Sequence, residues 1–215
     1  MIAKTYTFLL AAIAILFFSC AASKTSGSNK GWINLFDGKT LSGWRANKNE
    51  NNFSVSDGKL AVTGDVAHLF YDGPVGNHKL KNFEFKAKVM TMPGSNSGIF
   101  IHTAYQPNGW PAIGYEVQVN NSHKDWRRSG SLYGVSDVKE VSVKDEEWYT
   151  TYVRVQDKHI IIKINDKTVV DYTEPDSISN NASIKRKMSS GTLAIQAHDA
   201  GSRAFFKDIY VRLLP

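Results

Sequence analysis

The sequence predicts an all-β protein, an antiparallel β-sandwich of two sheets with little helix. From residue 31 onward, apolar residues alternate with polar ones at the period of a strand, and no segment shows a long apolar run at helical spacing. About ten such strands follow one another along the chain, and this number favours two packed sheets over a small barrel.

A hairpin and a half-buried strand show the alternation most clearly. Residues 53–56 and 59–62 alternate on either side of Asp57-Gly58, which supplies a tight turn. In residues 83–89 the apolar side chains share one face, while glutamate and lysine take the other. Further strands are expected at residues 98–102, 115–120, 131–135, 148–156, 159–164, 168–172, 191–198 and 205–213.

The N-terminal residues predict export. The apolar run Phe8–Phe18 follows the single charge of Lys4, and it is too short to cross the hydrocarbon core of a bilayer, so residues 1–19 are interpreted as a signal peptide. Cys20, the one cysteine, follows directly and resembles the lipidated cysteine of a bacterial lipobox. We therefore expect a periplasmic or cell-surface lipoprotein, membrane-anchored only through its lipid. An ordinary signal peptide, cleaved elsewhere so that Cys20 is lost, is the alternative.

The remaining composition indicates one domain and argues against nucleic acid as a partner. Residues 20–30 are small and polar and are expected to form a flexible tether, and residues 31–215 are enough for a single sandwich. The net charge is +6, but the lysines alternate with acids rather than clustering on one surface. A lone cysteine makes no internal disulfide and provides no cysteine metal site.

A polar row is predicted on the strand at residues 115–120. With a period of two, its apolar residues enter the core, and Glu116, Gln118 and Asn120 line the opposite face. By the same phase, Gln196 and His198 face away from the core on a second strand.

His102 is expected on that same non-core face, at the end of a third strand. A face rich in amide, carboxylate and imidazole groups suits a polyhydroxylated ligand, such as an oligosaccharide or glycoside, especially with aromatic platforms nearby. Trp110 and Tyr133 are the platforms expected to contact the ligand, and Arg127 is expected to bind it as well.

The chain resembles the 3-keto-disaccharide hydrolase domain family, whose fold is a concanavalin A-like jelly roll. The resemblance covers nearly all of residues 31–215. It departs from the family at two positions, because many members have Arg near the position of His102 and Gly where this chain has Asp199. The segments that carry it are Gly31–Trp44, Asn96–Phe100, Gly114–Val119, Ser129–Tyr133, Glu147–Tyr149, Lys163–Lys167 and Gly191–Ile209.

The resemblance implies an enzyme that cleaves sugars already oxidised to a ketone at C3 by a separate dehydrogenase. The nicotinamide or flavin chemistry would stay in that other enzyme, so no cofactor is predicted, although the sequence leaves a bound divalent cation open. A single base can remove the C2 proton that the ketone acidifies, after which the group at C1 leaves and water adds back. Glu116 is the predicted base and His198 its helper, and the two roles could be exchanged.

Two alternatives remain open from the residues. Jelly-roll glucanases carry carboxylates at alternate positions of the catalytic strand, whereas here amides follow Glu116, so ordinary retaining hydrolysis by this strand is not expected. A conventional glycosidase would need a second carboxylate from a loop, with Asp125 or Asp199 as candidates. A carbohydrate-binding lipoprotein without catalysis is the other alternative.

Overall fold

The computed structural model describes residues 31–176 and 186–215. The predicted signal peptide, Cys20 and the tether lie outside the described residues. Among the helical segments that are described, none is long and apolar enough to cross a membrane.

Thirteen antiparallel strands make up the described part of the chain. They are β1 (Ile33–Asn34), β2 (Trp44–Ala46), β3 (Phe53–Ser56), β4 (Lys59–Thr63), β5 (Ala67–Tyr71), β6 (Phe83–Thr91), β7 (Ser97–Thr103), β8 (Tyr115–Val119), β9 (Tyr149–Gln156), β10 (His159–Ile164), β11 (Lys167–Thr173), β12 (Thr192–Ala197) and β13 (Arg203–Leu213). Within residues 31–176 and 186–215, helix is limited to two short 3-10 turns, at Glu50–Asn52 and Val75–His78.

The strands form two sheets, which confirms the predicted sandwich of the jelly-roll class. The larger sheet has the order β11-β10-β9-β6-β13-β4-β3, with β1 paired to the end of β13. The smaller sheet has the order β2-β5-β12-β7-β8. Because β12 joins the sheet late in the chain but pairs between β5 and β7, residues far apart in sequence become neighbours on one face.

The core lies between the two sheets, as the alternation predicts. Val117 and Ile195 from the small sheet and Phe85 and Phe206 from the large sheet are at most 1% exposed within one apolar cluster. Burying an apolar side chain of this size contributes roughly 1.5–3 kcal/mol, so both sheets are held by their inner faces. The outer face of the small sheet is then free to carry polar groups.

One expected strand does not form, and three strands, β1, β2 and β5, were not expected. Residues 131–135 form no strand; they run along the free edge of β8, where the Tyr133 N–H donates to the Glu116 carbonyl oxygen at 2.9 Å. The strand β5 was not predicted, because all five of its residues are buried and show no polar alternation. The hairpin β3–β4 forms as predicted around Asp57-Gly58.

Candidate active site

The outer face of the small sheet carries an apolar row that ends in an acid. In register across four strands, Phe70 on β5 lies beside Ala194 on β12, then Phe100 on β7, then Glu116 on β8. The first three form an apolar cluster separate from the main core. A carboxylate therefore lies next to an apolar floor.

A second, polar row runs beside the first. His68 on β5 pairs with Gln196 on β12, and Gly98 on β7 pairs with Gln118 on β8. The register between β12 and β7 brings Gln196 beside Gly98. The middle of this row therefore carries the amide of Gln196, then a gap at Gly98, which has no side chain, and then the amide of Gln118.

The carboxylate of Glu116 fills the gap above Gly98. A Cβ atom at position 98 would overlap Glu116 Oε1 and lie 3.0 Å from its Cδ. Across the gap, the Gln196 side-chain amide donates a hydrogen bond to Glu116 Oε1 at 3.0 Å. Glycine here serves to let one side chain cross the neighbouring strand.

Four residues of these rows, Phe100, Glu116, Gln196 and Gln118, form the floor of a pocket of about 250 Å³. Trp110, on the connection between β7 and β8, is 43% exposed, and its ring centroid lies 5.5 Å from that of His68 and 5.6 Å from that of His198. The pocket therefore combines aromatic walls with a floor that is part apolar and part polar, a composition typical of small-molecule sites. Its lining residues are Asn96, Phe100, Trp110, Glu116, Gln118, Tyr133, Gln196 and His198.

Burial raises the pKa of Glu116 to about 7. The hydrogen bond from Gln196 and the positive charges of Arg186 and Arg127 oppose this shift, whereas the negative charge of Asp125 adds to it. A carboxyl group with a pKa near neutrality can both release and accept a proton under physiological conditions. Such a shift inside a pocket is typical of catalytic groups.

His198 lies beside the carboxylate of Asp199, which orients its ring. His198 Nδ1 is 2.7 Å from Asp199 Oδ2, and that carboxylate also accepts hydrogen bonds from the Ser202 hydroxyl at 2.8 Å and the Gly201 N–H at 2.9 Å. Burial raises the pKa of Asp199, but the hydrogen bonds outweigh it and hold this pKa below its usual value. Asp199 is therefore an ionised acceptor at neutral pH.

Together with His123, these two residues form a cluster that could hold a metal ion. Within the described ranges, one atom from each of His123, His198 and Asp199 lies within 4.8 Å of the others. However, His123 Nδ1 accepts a hydrogen bond from the Asp125 N–H at 3.1 Å, so the proton of this imidazole is on Nε2, which lies 3.6 Å from Asp199 Oδ2. N–H groups that face one carboxylate suit hydrogen bonding better than metal ligation, which needs an unprotonated nitrogen.

The two amides on the floor leave acceptors open. Gln118 donates a hydrogen bond to Asn96 Oδ1 at 3.0 Å, and Gln196 donates to Glu116. The carbonyl oxygens of both glutamines are buried and have no hydrogen-bond partner among the described residues. An unpaired buried acceptor costs about 1–3 kcal/mol, and a hydroxyl group of a bound sugar is a suitable donor.

Tyr133 lines the pocket, and Arg127 supports it from behind. The guanidinium carbon of Arg127 lies 4.6 Å from the centre of the Tyr133 ring, and its Nε donates to Asp137 Oδ2 at 3.1 Å. Since Arg127 is absent from the pocket lining, its expected contact with ligand is not found. It braces an aromatic wall instead.

The structure does not bring His102 into the pocket. His102 has a φ of 54°, in the left-handed region, and this turns its side chain out of the alternation of β7. Its ring packs 5.7 Å from that of Phe83, its Nε2 bonds the Lys81 carbonyl oxygen at 2.8 Å, and its Nδ1 accepts from the Ser189 N–H at 3.2 Å. The expected position is wrong, and the residue ties three segments together.

Asn120 is also outside the pocket, because β8 ends at Val119 and the chain leaves the sheet there. The Asn120 amide donates to the carbonyl oxygens of Asp125 and Arg127, each at 2.8 Å, and its own oxygen accepts from the His123 N–H at 2.8 Å. Its side chain is completely buried. It holds the loop that carries His123 rather than a ligand.

Sequence reasoning missed three neighbours of the site. Asn96 and Phe100 line the pocket, and His68 lies under Trp110 with both ring nitrogens unpartnered among the described residues. Burial lowers the pKa of His68 to about 4, so its imidazole is neutral. The phase of Phe100 on β7 could have revealed it, whereas the uniformly buried β5 gave no signal for His68.

One protein of known name and two solved structures are similar to this chain. A protein from Bacteroides thetaiotaomicron named 3-keto-disaccharide hydrolase is 28% identical over 169 residues, which are 66% of this chain and 58% of that protein. A structure from Parabacteroides distasonis ATCC 8503, described as a candidate glycosyl hydrolase, has a TM-score of 0.73 at 20% identity and covers 87% of this chain and 96% of its own. The carbohydrate binding module CBM66 of Bacillus subtilis has a TM-score of 0.56 at 9% identity, over 79% of this chain and 95% of its own.

The two structural likenesses show the fold alone. The family is shown by a sequence model of that family, which matches residues 31–212, the whole sandwich apart from its last residues. The polar row of β8, the glycine gap of β7 and the histidine after β12 all lie within that match. The chain belongs to the family of 3-keto-alpha-glucoside-1,2-lyase-like domains.

Proposed function

We propose that this protein cleaves the glycosidic bond of 3-keto-glycosides by elimination followed by hydration. The observation that carries the proposal is that Glu116, with a pKa near 7, and His198 line one pocket. The reaction needs two groups that exchange protons near neutral pH and needs no second carboxylate. The name of the Bacteroides relative and the family match support the same substrate class.

The position of the neighbouring acids argues against a conventional glycosidase. Retaining and inverting glycosidases both use two carboxyl groups that flank the scissile bond. Among the described lining residues Glu116 is the one carboxylate. Neither Asp125 nor Asp199 lines the pocket. Asp125 accepts from the Arg127 N–H at 3.0 Å and from the Tyr133 hydroxyl at 3.4 Å, and Asp199 accepts from three donors, so both candidate acids are already hydrogen-bonded to the protein.

The chemistry follows from the ketone at C3. The ketone acidifies the C2 proton, and its removal gives an enolate whose collapse forms the C1–C2 double bond and expels the aglycone from C1. Water then adds to C1 and a proton returns to C2, so the net change is hydrolysis. One protein group must take the C2 proton, and the other must give a proton to the departing oxygen.

The pocket provides for the rest of the sugar. Trp110 and Tyr133 supply aromatic faces against which a pyranose ring can stack. The unpartnered oxygens of Gln118 and Gln196 would accept hydrogen bonds from sugar hydroxyls. We expect binding energy to come from these contacts and turnover to come from Glu116 and His198.

We also propose that the enzyme acts as an exported lipoprotein. Cys20 would carry the lipid, residues 20–30 would separate the anchor from the domain, and the domain would work at the bacterial membrane surface. A separate sugar dehydrogenase would supply the oxidised substrate, since the proposed reaction begins with the ketone already formed.

The test compares a 3-keto disaccharide with its unoxidised parent. We expect release of monosaccharide from the 3-keto substrate alone, and a loss on the order of 10²-fold or more in kcat for Glu116→Gln, the range for removing a general acid or base. Glu147→Gln, at an exposed glutamate distant in sequence, is the control and should keep the wild-type rate. Cleavage of only the parent would indicate a glycosidase, and binding without turnover would indicate a binding module.

A further inference from the structure

We propose that Asp199 is a positioning residue that makes His198 the proton acceptor of the pair and leaves Glu116 as the proton donor. The proposal rests on the function proposed above and assigns directions that the function alone leaves open. It follows from the hydrogen bonds around one carboxylate.

Asp199 sets the tautomer of His198. Asp199 Oδ2 lies 2.7 Å from His198 Nδ1, and an ionised carboxylate only accepts hydrogen bonds. Nδ1 must therefore carry the proton of the neutral imidazole, and the lone pair is left on Nε2. No described protein group hydrogen-bonds Nε2, and His198 lines the pocket, so this lone pair is available to substrate.

The carboxylate of Asp199 is itself held by several hydrogen bonds. Asp199 Oδ1 accepts from the Gly201 N–H, and Oδ2 also accepts from the Ser202 hydroxyl. The hydroxyl oxygen of Ser202 in turn accepts from the Asn96 N–H at 2.9 Å, which ties the turn after β12 to the start of β7. The carboxylate is thus fixed before substrate arrives, as preorganised catalysis requires.

Glu116 is suited to be the proton donor. Its Oε1 already accepts a hydrogen bond from Gln196, and burial favours its protonated form. In that form the carboxyl group has an O–H to donate, which an ionised carboxylate lacks. A protonated acid and a histidine with a free lone pair, both lining one pocket, are the combination that elimination needs at its start.

The proton transfers balance over the whole cycle. His198 Nε2 takes the C2 proton, the C–H electron pair passes into the enolate and then into the C1–C2 bond, and the C1–O bond breaks. Glu116 gives its proton to the departing oxygen. In the hydration step Glu116 takes a proton from water as the oxygen adds to C1, and the imidazolium of His198 returns a proton to C2, which restores both residues.

Asp199 contributes to the charge balance as well as to the tautomer. When Nε2 takes the C2 proton, the ring becomes a cation, and the carboxylate 2.7 Å from Nδ1 stabilises that charge. The His–Asp arrangement of serine proteases works in the same way on unrelated folds. Asp199 itself is absent from the pocket lining, so it acts through His198.

The test is the variant Asp199→Asn. Because Oδ1 faces the Gly201 N–H, the amide oxygen must stay on that side, and its NH2 group must then face His198. An NH2 group facing Nδ1 makes that nitrogen an acceptor and moves the imidazole proton to Nε2. We expect kcat on the 3-keto substrate to fall on the order of 10²-fold or more, with KM changed by less than about threefold. ¹⁵N NMR should show His198 protonated on Nδ1 in the wild type and on Nε2 in the variant.

Two controls separate positioning from structural support. Asp171→Asn removes a similar histidine–aspartate contact, the 2.6 Å pair with His159 on the large sheet, and should leave kcat unchanged. Ser202→Ala weakens the same turn but keeps the contact between Asp199 and His198, so it should lower the melting temperature while the His198 tautomer stays on Nδ1.

Each outcome has one meaning. Wild-type turnover by a folded Asp199→Asn protein, or a neutral His198 that carries its proton on Nε2 in the wild type, would overturn the proposal. Equal losses of kcat in Asp199→Asn and Ser202→Ala with no change of tautomer would do so too. If the wild-type protein does not cleave 3-keto substrates at all, the proposed function fails, and NMR still reports whether Asp199 sets the tautomer.

Discussion

Gln196 donates a hydrogen bond to Glu116 at 3.0 Å although 80 positions separate them and a third strand runs between their own. The contact forms because Gly98, on the intervening strand, has no side chain to block it. The carboxyl group therefore lies above Gly98 on the neighbouring strand instead of pointing straight outward from β8. The position of the proposed proton donor thus depends on a residue without a side chain.

Gly98→Ala should impair turnover without unfolding the protein. The added Cβ would overlap Glu116 Oε1, whereas the backbone at Gly98 is not in the left-handed region, so a side chain causes no backbone strain. Displacing a reacting group by about 1 Å can cost on the order of 10²-fold in rate. We expect a loss of that size in kcat with a cooperative melting transition retained. A folded variant with wild-type kcat would show that the crossing is not needed.

Glu116→Gln should make stability less dependent on pH. The native pKa near 7 exceeds the ordinary value of 4.5, so the native state holds a proton that the unfolded chain has released, and wild-type stability falls as pH rises between these values. At about 1.4 kcal/mol per pKa unit, reduced by solvent screening at the pocket, the variant should gain about 2 kcal/mol relative to wild type between pH 4 and pH 8. Urea unfolding at the two pH values measures this difference, and parallel curves would contradict the raised pKa.

Removing divalent cations should leave turnover unchanged. In the cluster of His123, His198 and Asp199, hydrogen bonds place a proton on the nitrogen of each ring nearest the carboxylate, and a metal ion would have to displace both protons. Assays before and after dialysis against a chelator check this. Loss of activity that added metal restores would assign the cluster as a metal site.

Cys20→Ala should release the protein from membranes into the soluble periplasmic fraction. The predicted acyl chains, and not the domain, are expected to supply the membrane affinity. Fractionation of cells that express the two forms, followed by detection of the domain in each fraction, measures the effect. Retention of the variant on membranes would contradict the lipoprotein prediction.

The alternation along the strands was enough to predict which face of the sheet carries the site. Glu116 and Gln118 on β8 and Gln196 on β12 could be assigned to the outer face because each lies between apolar neighbours that enter the core. Trp110 could be placed near them because it lies on the long connection that precedes β8. These residues do line one pocket.

The errors come from places where the backbone departs from regular alternation. His102 turns inward through a left-handed φ, and Asn120 lies one residue beyond the end of β8. Neither event leaves a mark in the pattern of apolar residues. The hydrogen bond from Gln196 to Glu116 could not be predicted either, since it depends on which strands become neighbours and on the register between them.

The segment at residues 129–133 has a consequence for the edge of the small sheet. β8 is the last strand of that sheet, and its outer backbone groups are used by this segment, through Gly130, Ser131 and Tyr133. An edge strand with open hydrogen-bonding groups invites pairing with another chain and aggregation. By closing that edge with its own backbone, the molecule can carry the Glu116 carboxyl group on an outermost strand, next to an open pocket, and still resist association through that edge.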